Sequence, residues 1–208
     1  MSHPSHFTSP THAASSPNGI AIGVLPQYAV PHPTTLILRE KIFSLSGDSF
    51  DVKDSNGYTV LSVKGKAFSL HDTKNFVDNH GNVLFTLKKK TFSMRGSQEA
   101  LKADGSVAFE VQGHFKFIGS KMTAKFTNTA DGKTLSIECR GDWLSKSCEM
   151  ILVQTGQRVA TISRNILSMR DLFHDKQTYF VQVEPGVDLA LMAALAVVFD
   201  ERNNEDNN

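Results

Sequence analysis

The chain has 208 residues, of which 40% are hydrophobic and 21% are charged, and its formal net charge is +1. This length and composition are typical of one globular domain with a sizeable core. The near-neutral charge argues against specific binding of nucleic acid. The distribution is uneven, because residues 39–125 carry 14 basic and 9 acidic side chains, whereas residues 184–208 carry one basic and six acidic side chains.

Residues 1–27 are predicted to form a disordered or loosely packed leader. The first 18 residues are rich in Ser, Pro, His and Thr and contain little that can be buried. They also lack the apolar core of a secretory signal peptide. The apolar residues 20–26 follow, and we expect them to lie along the domain. We therefore expect a cytoplasmic protein, with the nucleus and the periphery of membranes as alternatives, rather than a secreted one.

From Leu36 onward, short runs of Phe, Val, Ile and Thr alternate with turn signals that contain Gly, Asn and Asp. This spacing is typical of consecutive antiparallel strands joined by tight turns. Residues 54–69 recur as residues 78–93, so that Gly57 matches Gly81, and a weaker echo begins at Gly156. Each repeat is predicted to be a strand–turn–strand unit with its turn at the glycine.

One helix is predicted, at about residues 188–200. Residues 189–199 are apolar on every face, which indicates a buried helix rather than a surface helix. At 1.5 Å per residue they would span about 17 Å, well short of the roughly 30 Å of a bilayer core. Asp188 is a suitable N-cap, and residues 203–208 are predicted to be a disordered acidic tail. A sheet can wrap such a helix completely only by closing around it, so the pattern predicts a barrel with a central helix.

Several runs resemble the LURP-one-related family, whose members share the tubby C-terminal-like fold with phospholipid scramblases. The best-matching run is residues 179–188, a Tyr-x-Val-x-Val strand and a Pro-Gly-Val-Asp turn before the apolar helix and its closing acidic residues. Lys88–Lys90 leading into residues 92–94, residues 141–143 and residues 159–164 match as well. The resemblance implies a closed antiparallel β-barrel of about a dozen strands over residues 28–202, wrapped around the buried C-terminal helix.

The resemblance does not imply an enzyme. It links this chain to plant proteins of defence responses, to tubby relatives that bind phosphoinositides, and to scramblase relatives with a calcium-linked role at membranes. We therefore expect a noncatalytic binding or tethering module. A protein-interaction or signalling adaptor without lipid binding is the alternative, and a scramblase-like role would require an inserted helix.

The candidate binding site is a basic patch on the outer surface. Its members come from the two matched repeats and are Lys64, Lys66, Lys88, Lys89, Lys90 and Arg95. Such a patch would attract phosphoinositide headgroups or an anionic membrane surface, at about 1 kcal/mol per basic residue. The alternative is that these lysines keep a β protein soluble and discourage edge pairing.

No motif for catalysis, a cofactor or a metal is found in the sequence. The histidines show no metal-binding spacing, and no strand–turn–helix nucleophile motif occurs. Cys139 and Cys148 are too few for a disulfide framework, so both are expected to be reduced, although a cross-strand disulfide remains open. We expect a monomer with an unidentified protein partner and no specific nucleic-acid partner.

Overall fold

The computed structural model describes residues 21–39, 50–65, 73–90, 97–114, 120–142, 147–163 and 178–206. Within these ranges the chain forms twelve strands and one α-helix. The strands are β1 (Thr34–Arg39), β2 (Phe50–Asp54), β3 (Thr59–Gly65), β4 (Lys74–Val77), β5 (Val83–Lys89), β6 (Gln98–Leu101), β7 (Val107–His114), β8 (Ser120–Thr127), β9 (Thr134–Asp142), β10 (Ser147–Leu152), β11 (Arg158–Ser163) and β12 (Thr178–Val183), and the helix is α1 (Leu189–Asp206). The first 18 residues, predicted to be disordered, lie outside the described residues.

The strands close into one antiparallel barrel in which each strand pairs with its neighbours in the sequence. Closure is made by β1, which pairs along its whole length with β12 and at two positions with β2. The barrel therefore presents no free sheet edge among the described strands. The predicted closed antiparallel barrel of about a dozen strands around a C-terminal helix is confirmed.

The two ends of the barrel differ in their connections. At one end, here called the turn end, short turns join β2 to β3, β4 to β5 and β6 to β7, and the first residues of α1 lie there. Gly57 and Gly81 adopt φ angles of 85°, which glycine reaches without strain, at the turns of the two matched repeats. Asp54 and Asp78 hold these turns by accepting backbone N–H groups two and four residues later. The opposite end, where β3 and β5 finish, is called the loop end.

The core consists of α1 and the inward-facing side chains of the strands. Residues 189–199 of the helix are all buried, with exposed fractions of 6% or less. Alanines at positions 190, 193, 194 and 196 let strand side chains approach the helix closely. Phe76 stacks on Phe85 with ring centroids 4.8 Å apart, and Phe85 contacts Phe109 edge to face at 5.3 Å. Burial of such side chains contributes about 1.5–3 kcal/mol each, which makes this core the main source of stability.

The helix extends to Asp206, six residues beyond the predicted end at residue 200. Residues 201–206 contain no glycine or proline that would stop it. The polar composition that suggested a tail is therefore compatible with helix.

Residues 21–30 close the turn end, whereas the predicted leader extended to residue 27. Ile22 forms a parallel bridge with Val187, and Ala29 forms an antiparallel bridge with Asp188. Val24 and Tyr28 are buried in the core cluster. We call residues 21–30 the N-terminal segment, and it belongs to the domain.

Asp188 joins the N-terminal segment to the helix. Its Oδ2 accepts the backbone N–H groups of Val24 and Leu25 at 3.0 and 2.8 Å, and its Oδ1 accepts those of Ala190 and Leu191 at 2.9 and 3.1 Å. The side chain is completely buried. Burial raises the pKa of Asp188 to about 6, although the four N–H donors oppose this shift. The predicted N-cap therefore also anchors a segment more than 160 residues away in sequence.

Candidate anion-binding site

The candidate site lies on the outer surface at the loop end, where β3 and β5 finish. Phe85 and Leu87 are buried and face the core, so Lys88 points outward by the alternation of the strand. Lys90 follows two residues later on the same face, and Lys64 is exposed on β3. The structure therefore brings Lys64, Lys88 and Lys90 to one end and one face of the barrel.

Two of these lysines form ion pairs with carboxylates on neighbouring strands. The register places Lys88 of β5 opposite Glu99 of β6, and Glu99 opposite Glu110 of β7. Lys88 Nζ lies 3.2 Å from Glu99, while Lys90 Nζ lies 3.5 Å from Glu99 and 2.5 Å from Glu110. The hydrogen bond to Glu110 raises the pKa of Lys90, so this amine stays charged throughout the physiological range.

The other predicted members of the patch are placed differently. Because side chains alternate along a strand, Lys89 lies on the same side of β5 as Phe85 and Leu87. It is paired in register with Gln98, which is buried. Lys89 therefore lies on the inward-facing side of β5, apart from Lys88 and Lys90. Lys66 and Arg95 lie outside the described residues. Whether the six basic residues act as one ligand site stays a prediction.

A second charged cluster, which the sequence analysis did not identify, lies farther around the outer surface. Lys121 of β8 and Arg140 of β9 both form ion pairs with Glu138 of β9, the lysine at 2.5 Å. Burial raises the pKa of Glu138, but hydrogen bonds from Lys121 and Arg140 outweigh burial and leave it below the ordinary range. With each cation held by a shared carboxylate, this cluster offers less free positive charge than Lys64.

A polar network inside the barrel holds the last buried turn of α1. Tyr179 donates its hydroxyl to Asp200 at 2.6 Å, Gln98 Nε2 donates to Glu201 at 3.3 Å, and Lys74 forms an ion pair with Glu201. Lys74 lies two residues before buried Phe76, and Gln98 lies two before buried Ala100. That alternation is a sequence signal for their inward orientation, but it does not reveal their partners on a distant helix.

The two cysteines are both buried and free. Cys139 is paired in register with Met150, and Cys148 with Gly141, so the thiols are diagonal neighbours on β9 and β10. A hydrogen bond from the Cys139 thiol to Cys148, together with burial, raises the pKa of Cys139 well above its ordinary value. A thiol in this environment is a poor nucleophile and a poor metal ligand.

Among the described residues, no group of three or more His, Cys, Asp or Glu side chains is arranged to hold a metal ion. In the described part of the chain, no helix combines the length and apolar character required to cross a membrane.

These features define a closed antiparallel β-barrel built around a single C-terminal helix, with charged clusters on its outer surface. The profile of the LURP-one-related family matches residues 34–200. Because this match covers most of the chain, the protein belongs to the LURP-one-related family.

Curated relatives from Arabidopsis thaliana match over nearly their whole length. Protein LURP-one-related 15 is 27% identical over 93% of this chain and 91% of its own. Protein LURP-one-related 10 is 23% identical, with 88% and 97% covered, and Protein LURP1 is 24% identical, with 84% and 86% covered. None of these family names denotes an enzymatic activity.

A crystal structure of a protein from Arabidopsis thaliana has the same fold. It superimposes with a TM-score of 0.63 and covers 88% of this chain and 99% of its own, at 23% sequence identity. The tubby-like architecture implied by the resemblance is supported by this likeness.

Proposed function

We propose that this protein is a noncatalytic tethering module that recognises phosphoinositide headgroups or an anionic membrane surface through its outer loop end. The observation that carries the proposal is the placement of Lys64, Lys88 and Lys90, which we call the loop-end lysines. All three lie on the outer face at one end of the barrel, on or just after strands that run in the same direction.

The shape of the molecule favours an external site. The barrel interior is filled by α1, whose residues 189–199 are buried, so a ligand is expected on the outside. The side chains of Lys88 and Lys90 retain exposed fractions of 38% and 34%, which leaves their amines accessible from solvent. Lysines near a membrane surface contribute about 1 kcal/mol each, and their contribution falls with salt.

The test is vesicle co-sedimentation at low and physiological salt, with and without phosphoinositide. The variant Lys64→Gln/Lys88→Gln/Lys90→Gln removes three positive charges and is expected to weaken binding by about 10- to 100-fold. Lys53→Gln/Lys102→Gln/Lys133→Gln removes the same charge near the turn end and serves as the matched control. Its binding is expected to stay within about threefold of the wild-type value.

Two outcomes would count against the proposal. Equal losses in the two triple variants would show that only the net charge of the protein matters. Wild-type binding that disappears at physiological salt regardless of headgroup would make the loop-end lysines ordinary surface charge. The search would then turn to protein partners, as expected for a signalling adaptor.

A further inference from the structure

We propose that Glu99 and Glu110 are built-in competitors for the ligand, so that the loop end selects headgroups with clustered phosphates over lipids with a single negative charge. This inference rests on the proposed function and adds to it the class of lipid and the residues that set the preference.

The contacts on β5, β6 and β7 show that the two lysines already have anionic partners. Lys90 Nζ lies between Glu110 at 2.5 Å and Glu99 at 3.5 Å, and Lys88 Nζ lies 3.2 Å from Glu99. The carboxylates are directly opposite in the register, so the strand pairing itself holds them in place. A ligand that approaches either lysine must therefore replace a carboxylate contact rather than fill an empty position.

The charge of the ligand decides whether that exchange is favourable. A phosphodiester lipid such as phosphatidylserine brings one net negative charge, which is no more than the carboxylate that it displaces. A phosphomonoester carries about −1.5 to −2 charges at pH 7 and three strong acceptor oxygens. Two adjacent phosphomonoesters can contact Lys88 and Lys90 together, and charge-assisted hydrogen bonds of this kind are roughly twice as strong as neutral ones.

Exposure of the carboxylates permits the exchange. The side chains of Glu99 and Glu110 have exposed fractions of 18% and 37%, so both can turn toward solvent when a stronger anion arrives. By contrast, Glu138 in the Lys121–Glu138–Arg140 cluster has an exposed fraction of 11%, which is lower than that of either loop-end carboxylate. The competition is therefore expected at the loop end and not at the Lys121–Glu138–Arg140 cluster.

The experiment compares two vesicle compositions with the same total surface charge. One contains phosphatidylserine and the other contains a bisphosphorylated phosphatidylinositol, each diluted in phosphatidylcholine. The wild type is expected to prefer the bisphosphorylated lipid by at least about tenfold. Glu99→Gln/Glu110→Gln is expected to raise binding to phosphatidylserine by about five- to tenfold and to reduce this preference.

A matched control separates local competition from net charge. Glu149→Gln/Glu184→Gln removes two carboxylates from other parts of the outer surface, and Glu184 is paired with Arg158 at 3.3 Å. This control has the same net charge as Glu99→Gln/Glu110→Gln and is expected to keep the wild-type lipid preference. An equal change of preference in both double variants would overturn the inference.

Failure of the inference differs from failure of the proposed function. If Lys64→Gln/Lys88→Gln/Lys90→Gln loses binding but Glu99→Gln/Glu110→Gln keeps the wild-type preference, the lysines bind and the carboxylates do not compete. If the wild type and the triple variant bind neither vesicle, the proposed function is wrong and the inference falls with it.

Discussion

At the scale of single residues, Asp188 joins the N-terminal segment to the start of α1 at the turn end. Its two oxygens accept four backbone N–H groups, two from the N-terminal segment and two from the first turn of α1. Gly23 lies directly against this side chain, and a Cβ at position 23 would collide with Asp188. A single carboxylate therefore fixes the start of the helix and the path of the segment that covers it.

Replacing Asp188 with alanine should destabilise the protein strongly. Asp188→Ala leaves four backbone donors without their acceptor in a buried site, and each such donor costs about 1–3 kcal/mol. We expect the free energy of unfolding to fall by at least about 3 kcal/mol in urea denaturation. Asp104→Ala is the control, because Asp104 is an exposed turn residue that binds Ser106, and a loss below about 1 kcal/mol is expected. Equal losses would contradict the role assigned to Asp188.

The raised pKa of Asp188 predicts that this residue contributes less to the free energy of unfolding as the pH rises. The folded pKa of about 6 lies above the ordinary value of 3.8, so folding favours the protonated carboxyl. Its stabilising contribution is complete below about pH 4, is lost as the pH rises to about 6, and is constant above that. The shift corresponds to about 3 kcal/mol at most.

This pH dependence is measured as a difference in unfolding free energy between wild type and a variant at position 188. A difference is needed because other carboxyls change stability with pH in the opposite direction. The pKa values of Asp78 and Glu138 are lowered, so their contributions are lost as the pH falls. Asp188→Asn removes only the titration at position 188. The difference in unfolding free energy between wild type and Asp188→Asn should shrink between pH 4 and 6. A constant difference across this range would show that Asp188 does not titrate there.

At the scale of elements, the hairpins and the helix could be predicted because their signals are local. Gly57 and Gly81 mark their turns through a conformation that other residues avoid, and the repeat places each at the same point of a hairpin. The all-apolar run before residue 200 identifies a buried helix from composition alone. Closure of the sheet then follows from the need to cover that helix on every side.

The candidate site was predicted less completely, because its contacts depend on pairing across strands. A run of three lysines suggests one patch, yet alternation on β5 turns Lys89 inward and leaves Lys88 and Lys90 outside. Their partners, Glu99 and Glu110, are known only once the register of β5, β6 and β7 is known. The contact between the N-terminal segment and Asp188 has no local signal for the same reason, since the two are distant in sequence.

The last buried turn of α1 gives a prediction at this scale. Tyr179→Phe removes the hydroxyl that donates to Asp200, a carboxylate with an exposed fraction of only 3%. Loss of a hydrogen bond to a charged group should lower the free energy of unfolding by about 1.5–3 kcal/mol. Tyr58→Phe is the matched control, because Tyr58 is 43% exposed, and it should change stability by less than about 0.5 kcal/mol. Chemical denaturation of both variants decides between these outcomes.

At the scale of the whole molecule, both ends of the barrel are fastened to the same helix. Asp188 ties the N-terminal segment to the start of α1, while Lys74, Gln98 and Tyr179 hold its last buried turn. The interior is thus committed to packing, so the ligand of the proposed function is expected on the outer surface. Substitution of surface charges there should change ligand preference without disturbing the core.

Removal of the N-terminal segment tests whether the barrel can close without it. Deleting residues 1–30 uncovers the turn end and removes Val24, Tyr28 and Val30 from the core cluster, at about 1.5–3 kcal/mol for each large apolar side chain. It also leaves the buried Oδ2 of Asp188 without the N–H groups of the segment. The sum approaches the 5–15 kcal/mol that is typical for a whole domain. We therefore expect this deletion to abolish cooperative thermal unfolding.

Deletion of residues 1–20 is the matched control, because it removes none of the described contacts. Its unfolding transition should remain cooperative and lie within about 4 °C of the wild-type value, which corresponds to less than about 1 kcal/mol. A cooperative transition near the wild-type temperature in the chain without residues 1–30 would show that the sheet and helix form a closed core by themselves. The N-terminal segment would then be an accessory cover rather than part of the fold, and the turn end would be open to a partner.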